Sequence, residues 1–198
     1  MTSPRFGVIG DPHIVAPYHV TTGKLEKRVK ILNAIEGLKY VFVTGDIAHQ
    51  ALPSQYELVK SILDTLTAEY FCCTGNHDTV KGIQYEQYSP LFGAPHYSTS
   101  IGDYNLLVIE HMRTSNLRDF TVDTSKPAIA LKHDAKDPKL IPYFKKHNVK
   151  LVIQGHYHKQ GPKDEVIEGI RYITCPAYFI GVGTLSNPIT YQSLEVGE

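Results

Sequence analysis

Phe6-Gly7-Val8-Ile9-Gly10-Asp11-Pro12-His13 and Tyr40-Val41-Phe42-Val43-Thr44-Gly45-Asp46 decide the fold. Each is a short apolar run closed by a turn signal and then by a carboxylate. A strand with one wet face alternates polar and apolar residues, so an unbroken apolar run fits a strand covered on both faces. Tyr70-Phe71-Cys72-Cys73 before Thr74-Gly75-Asn76 repeats the arrangement. So do Ala128-Ile129-Ala130-Leu131 before Lys132-His133, and Leu151-Val152-Ile153 before Gln154-Gly155-His156. Leu106-Leu107-Val108-Ile109 and Tyr172-Ile173-Thr174-Cys175 read as further strands.

Helical patterns lie between these runs. Leu25, Val29, Leu32 and Ile35 recur at helical steps, with Gly37 as the stop. Ser54 and Glu57 have the spacing of a capping box ahead of an apolar face made by Leu58, Val59, Ile62, Leu63 and Leu66. Asp137-Pro138 reads as an N-cap with proline in the first turn, followed by Leu140, Ile141 and Phe144 and ended by Asn148. The order β-α-β-α-β over the first 80 residues implies parallel strands joined by right-handed crossovers. The stretch near 97–131 and the region from 170 onward are richer in strands. The expected fold class is α/β, a layered sandwich with two sheets inside, in a single domain over residues 1–198 with no repeat or linker dividing it. Residues 79–105 and 111–126 read as polar loops that rim a site.

Composition narrows the function classes. With 42% hydrophobic and 20% charged residues the chain has an ordinary globular make-up. Lys plus Arg and Asp plus Glu are both 20, so no global basic field holds a nucleic acid backbone, and extended nucleic acid is not an expected partner. No apolar run approaches bilayer length and no signal-peptide pattern is seen, so no membrane association is expected. Cys72, Cys73 and Cys175 make a poor disulfide framework; buried free thiols in a reducing cytoplasm are expected.

The polar residues fall where chemistry needs them. Asp11 and His13 follow the first strand, Asp46 the second, and Asn76, His77 and Asp78 the third. His133 follows a later strand, and His156 and His158 another. The carboxyl ends of strands in an open α/β sheet form the ligand crevice, so residues distant in sequence converge there. Carboxylate, imidazole and amide oxygen suit divalent ions such as Mn, Fe, Zn, Co or Ni. A carboxylate can bridge two ions through its two oxygens, and Asp46 is the candidate bridge. Two ions about 3.5–4 Å apart polarise phosphoryl oxygens and make hydroxide near neutral pH. Gly10, Gly45, Gly75 and Gly155 each precede a candidate ligand and permit close backbone approach.

As a set, Asp11-Pro12-His13, Gly45-Asp46, Gly75-Asn76-His77-Asp78, His133 and Gly155-His156-Tyr157-His158 resemble the signature of calcineurin-like metallophosphoesterases. The resemblance runs from residue 6 to about 180. Gly45-Asp46-Ile47-Ala48-His49, with Pro53 and Tyr56, resembles the class III cyclic-nucleotide phosphodiesterase branch. The resemblance implies a four-layer α/β/β/α sandwich and a dinuclear site. Asp11, His13, Asp46 and His158 would bind the first ion, and Asp46, Asn76, His133 and His156 the second. His77 would face the substrate, protonating the leaving oxygen or stabilising its charge, and Asp78 would orient it. The implied activity is hydrolysis of a small phosphate ester, foremost a nucleotide or other phosphodiester attacked by ion-activated water. A phosphomonoesterase is the alternative; a nuclease or a non-catalytic scaffold ranks below, since charge is balanced and every motif position is filled.

One motif departs from the family pattern. Relatives often carry two histidines followed by prolines where this chain reads Lys132-His133-Asp134-Ala135-Lys136-Asp137-Pro138. Lys132 and Lys136 are read as solvated surface lysines, the usual state of that side chain. His49 is a candidate to line the pocket, His19 to contact substrate and His96 to sit in a loop covering the site, but for these and for His111 an ordinary position outside the site is favoured; Tyr157 is read as a ring packed beneath the ions.

Overall fold

The computed structural model describes residues 3–80, 83–111, 117–186 and 188–196. The first three apolar runs form β1 (Arg5–Ile9), β2 (Leu38–Val43) and β3 (Glu69–Cys72), joined by α1 (Val20–Asn33) and α2 (Pro53–Leu63). They pair in parallel, as the alternation with helices requires. There follow β4 (Thr79–Val80) and β5 (Ile83–Gln84), which pair with each other, and a one-turn helix α3 (Ser89–Phe92). Next come β6 (Tyr97–Ile101), β7 (Tyr104–Val108) and β8 (Ala128–Leu131), and then α4 (Leu140–Lys146). The chain continues through β9 (Val149–Gln154), β10 (Lys163–Ile167), β11 (Ile170–Thr174), β12 (Phe179–Thr184) and β13 (Thr190–Glu195). One sheet has the order β13-β12-β1-β2-β3 and the other β10-β11-β9-β8-β7-β6; both mix parallel and antiparallel pairs.

Side-chain alternation explains why these strands are apolar throughout. Phe6 and Val8 of β1 and Phe42 of β2 enter the core between the sheets, against Leu106, Val108, Ile129 and Ile153. Their neighbours Ile9, Val41 and Val43 point the other way, onto Leu25, Val29 and Leu32 of α1 and Val59 and Ile62 of α2. On the second sheet, Leu107, Ala130 and Val152 lie against Leu140 and Phe144 of α4. The layers therefore run helix, sheet, sheet, helix, as expected. Gly7 leaves room for this packing, since a Cβ there would stand 2.8 Å from a Leu32 methyl group.

The helix boundaries differ from the sequence reading in three places. Helix α1 ends at Asn33, so Ile35 lies in the following turn, still packed on the same core. Helix α2 starts at Pro53 and not behind a Ser54–Glu57 box. Proline presets φ for the first turn, and the Gln55 side-chain oxygen accepts from the Gln50 and Leu52 amides at 2.9 and 3.4 Å. Asp137 does not cap α4 directly. It closes a preceding turn, accepting from Lys139 N on its side chain and from Leu140 N on its carbonyl, each at 2.9 Å. Asn148 ends the segment at φ 55°, a left-handed position asparagine tolerates. The polar stretch 79–105 holds β4, β5, α3 and β6 as well as loop. Of the predicted loop 111–126, residues 112–116 lie outside the described residues.

Cys72, Cys73 and Cys175 are buried and free. Among the described residues no helix is long and apolar enough to cross a membrane.

Phe42 sits between Phe6 and Phe71, with ring centroids 5.7 and 6.1 Å away. Phe42→Ala is expected to destabilise the protein by about 3–5 kcal/mol, through lost transfer energy and the cavity left behind. Guanidinium denaturation followed by circular dichroism measures this; a loss below about 1 kcal/mol would contradict the placement of Phe42 at the centre of the inter-sheet core.

Candidate metal centre

The strand ends meet because the loops after them are stitched together. His13 N donates to the Asp46 carbonyl at 2.8 Å and Ile14 N to that of Ile47 at 3.1 Å, joining the loops after β1 and β2. Gly155 N donates to the His133 carbonyl at 3.1 Å, joining those after β8 and β9. Within the first sheet's edge the Thr44 hydroxyl donates to Asp11 Oδ1 at 2.7 Å, and from the second sheet His156 N donates to Asp11 Oδ2 at 2.7 Å. Glycine is required at two of these approaches. A Cβ on Gly75 would lie 2.1 Å from Asp46 Oδ1, and one on Gly155 would lie 1.9 Å from Asp11 Oδ1. His13, Asp46 and His156 hold left-handed backbone at φ 46°, 47° and 66°. Such positions cost a side-chain-bearing residue on the order of 1–2 kcal/mol and cluster at functional sites.

Two sets of donors gather around Asp46. In the first, Asp11, His13, Asp46 and His158 each offer one atom within 4.8 Å of the others. His158 Nε2 lies 2.6 Å from Asp11 Oδ2, and His13 Nε2 lies 3.3 Å from Asp46 Oδ2. His13 Nε2 is buried and has no hydrogen-bond partner. In the second set, His133 Nε2 lies 3.3 Å from Asp46 Oδ2, 3.1 Å from Asn76 Oδ1 and 3.1 Å from His156 Nδ1. His133 Nδ1 donates to the Thr44 carbonyl at 2.7 Å, which fixes its proton there. The remaining nitrogen then points a lone pair at two oxygens and another imidazole nitrogen. Such a gathering of electron-rich atoms is favourable only around positive charge, either a proton or an ion.

The same demand shows in the titration of these groups. Burial alone would raise Asp46, but the hydrogen bond and charge of His133, and the amide of His77, hold it below the usual carboxylate range. Asp11 is likewise low against its burial, through His133 and His158. Burial would lower His133, yet Asp11 and Asp46 bring it up to about 9. Burial dominates at His13 and takes it down to about 4.

Asp46 divides its two oxygens. Oδ1 accepts from His77 N at 2.8 Å, and Oδ2 lies 3.3 Å from His13 Nε2 and 3.3 Å from His133 Nε2. The His77 ring is anchored by Nδ1, which donates to the His49 carbonyl at 2.8 Å. Asp78, expected to orient that ring, is engaged elsewhere. Its buried carboxylate accepts from Ile47 N at 3.1 Å, Ala48 N at 3.0 Å, Gly75 N at 2.8 Å and the Tyr56 hydroxyl at 3.1 Å. It pins the loops after β2 and β3, and its burial raises it to about 6 despite these amides.

An open cleft of about 820 Å³ lies over the donors, lined also by Val15, His19, Thr21, His49, Gln50 and Tyr178. His19 and His49, for which a place outside the site is the favoured sequence reading, line the cleft instead. His19 also caps α1, accepting from Thr21 N at 3.3 Å. His96 is elsewhere, stacked on Phe120 at 4.3 Å. His111 lies beside His133, ring centroids 5.6 Å apart. Tyr157 meets His156 edge-on at 5.2 Å and its hydroxyl donates to Asp134. Lys132 is not solvated: it is fully buried, and its ammonium donates to the carbonyls of Glu110 at 2.9 Å and His111 at 3.2 Å. Those carbonyls satisfy it without an anion, which residue type alone does not reveal. Lys136 pairs with Glu165 at 2.8 Å. Two residues that motif reading passed over support the site from below. Thr44 holds both Asp11 and His133, and the buried Arg28 donates to the Gly10 carbonyl. Thr44 was signalled only by its place ahead of Gly45-Asp46, and Arg28 by nothing but its helix.

The family model of the calcineurin-like phosphoesterases matches residues 4–160. Comparison with curated proteins gave no match. Among solved structures, a novel archaeal phosphodiesterase is similar at 16% identity and TM-score 0.62, over 97% of this chain and 99% of that one. GAP50, the anchor in the inner membrane complex of Plasmodium, is similar at 12% identity and TM-score 0.66, over 98% and 85%. Vacuolar protein sorting 29 of Cryptosporidium parvum is similar at 13% identity and TM-score 0.54, over 99% and 100%. At these identities the likeness is one of fold. The family match is of another kind, since it covers residues 4–160, most of the chain, and by it the chain belongs to the calcineurin-like phosphoesterases.

Proposed function

We propose that the chain is a two-ion phosphodiesterase acting on a small phosphodiester, a nucleotide among the candidates. The observation that carries this reading is the pair of donor sets sharing Asp46 Oδ2. Asp11, His13, Asp46 and His158 would hold one ion, and Asp46, Asn76, His133 and His156 the other. Mn, Fe, Zn, Co and Ni all suit these donors. Bound there, the ions supply polarisation of the phosphoryl oxygens and a nucleophile from water near neutral pH.

The chain's own groups do the rest. His77 keeps its Nδ1 proton on the His49 carbonyl, which leaves Nε2 as the atom that serves the leaving oxygen. Asp78 acts at a distance, by fixing the loops that carry Asp46 and His77. The cleft has the size of a small-molecule site. Among the described residues that line it, none is Lys or Arg. A monoester dianion brings more negative charge than a diester and gains more from such a clamp, so neutral walls favour the diester. The three buried free thiols suit a reducing compartment, the cytoplasm in this reading. Fold alone does not argue for catalysis, since similar structures include an anchor and a sorting protein; the filled donor set and His77 do.

Parallel assays of metal-loaded protein on bis(p-nitrophenyl) phosphate and p-nitrophenyl phosphate are expected to show faster turnover of the diester. A monoester rate about tenfold higher would replace this reading with a phosphatase. His77→Ala should lower turnover by about 10²–10⁴-fold while leaving metal content unchanged; unaltered turnover would remove its assigned role. Asp46→Asn should weaken both ions together, and two ions per chain in elemental analysis of that variant would refute the shared oxygen.

A further inference from the structure

His49 stands where the two halves of the proposed chemistry meet. Its ring Nδ1 lies 3.5 Å from His13 Nδ1. The same ring stacks on that of His77, with centroids 4.9 Å apart and planes 25° from parallel. Its carbonyl receives the His77 Nδ1 proton. One nitrogen from each of His13, His49 and His77 falls within 4.8 Å of the others.

His13 has two nitrogens and two tasks. Nε2, buried beside Asp46 Oδ2, belongs to the first donor set. A nitrogen that binds an ion must offer its lone pair, so the ring proton of neutral His13 sits on Nδ1. The atom facing that proton is His49 Nδ1, which accepts it and keeps its own proton on Nε2. At 3.5 Å the bond is long; contacts of this kind tighten when a site is loaded. Metal-ligating histidines nearly always rest their second nitrogen on a fixed acceptor, and here a neighbouring imidazole provides it.

The backbone of His49 is itself held. His49 N donates to the Ile14 carbonyl at 3.0 Å, one residue beyond His13. The two residues before it, Ile47 and Ala48, are pinned by Asp78. Asp78 thus reaches His77 through the His49 carbonyl.

Resting on the proposed metal-dependent activity, we infer that His49 is a positioning residue for both partners of the reaction. Its ring sets the tautomer and plane of His13 for the first ion, and its carbonyl sets those of His77 for the leaving oxygen.

The test separates the two functions, because substitution removes the ring and keeps the carbonyl. Asn at position 49 places an acceptor oxygen where Nδ1 stood, while Leu fills space without one. Native protein, His49→Asn and His49→Leu are dialysed against graded Mn²⁺ and their bound metal is measured by elemental analysis. His49→Leu is expected to bind one of the two ions about 10–100-fold more weakly, with the other ion little changed. His49→Asn is expected to restore most of that loss. Native-like binding in His49→Leu, or a His49→Asn no tighter than His49→Leu, would overturn the inference. His49→Ala, also without an acceptor, replaces His49→Leu if that variant does not melt as the native protein does. The readout needs no substrate, so a native protein that binds two ions yet cleaves no ester would end the proposed activity and leave this comparison decisive.

Discussion

Asp46 sits at the end of β2 in a left-handed conformation, and its two oxygens are committed to different partners. Oδ1 takes the amide of His77 and so fixes the start of the loop after β3. Oδ2 faces His13 from the loop after β1 and His133 from the other sheet. The carboxylate therefore spans three strand ends, and the remaining donors are placed relative to it. Gly75 must lack a side chain because Asp46 fills the space its Cβ would take. The amides of Ile47 and Ala48 are held by Asp78, so the backbone that carries Asp46 is fixed on its far side as well.

Gathering Asp11 and Asp46 in one buried crevice works against folding, since each raises the cost of ionising the other and neither keeps its water. The surrounding histidines offset this in part, with His133 drawn toward its charged form by the two carboxylates. The sandwich tolerates such a site because its stability comes from elsewhere. Three apolar layers lie between the sheets and under the helices on each side, and the layer under α1 and α2 reaches into the site loops through Ile14, Ile47 and Ala48. Strain at His13, Asp46 and His156 is thus confined to loops whose backbone is bonded across to neighbouring loops.

The same division explains what could be read from sequence. β1, β2, β8 and β9 were legible because both their faces are buried, which leaves an unbroken apolar run that no amphipathic helix would show. The convergence of Asp11, Asn76, His133 and His156 was legible because parallel strands deliver their ends to one edge. What was not legible is which atoms meet. Lys132 looks like any lysine until two backbone carbonyls are seen around its ammonium. Asp78 adjoins His77 in the chain, but its oxygens are taken by amides three and about thirty residues away. Gln55, not Ser54, serves the start of α2, because Pro53 already sets the first turn. Local spacing carries the frame; hydrogen bonds between distant loops carry the site.

The donors and the walls of the cleft come from different parts of the chain. The donors lie on the loops after β1, β2, β3, β8 and β9. The walls come from a different part of the chain: Val15, His19 and Thr21 on the way into α1, Gln50 before α2, and Tyr178 before β12. None of these walls shares a backbone bond with His133 or His156. Changes of side chain along the walls would therefore alter what the cleft admits without moving the donor atoms. His49 is the exception among the lining residues, since its ring faces His13 and its carbonyl accepts from His77. Loop side chains of this kind set what a cleft admits, whereas the motifs that define a family set the chemistry done there, so one fold can keep its chemistry while its substrates vary.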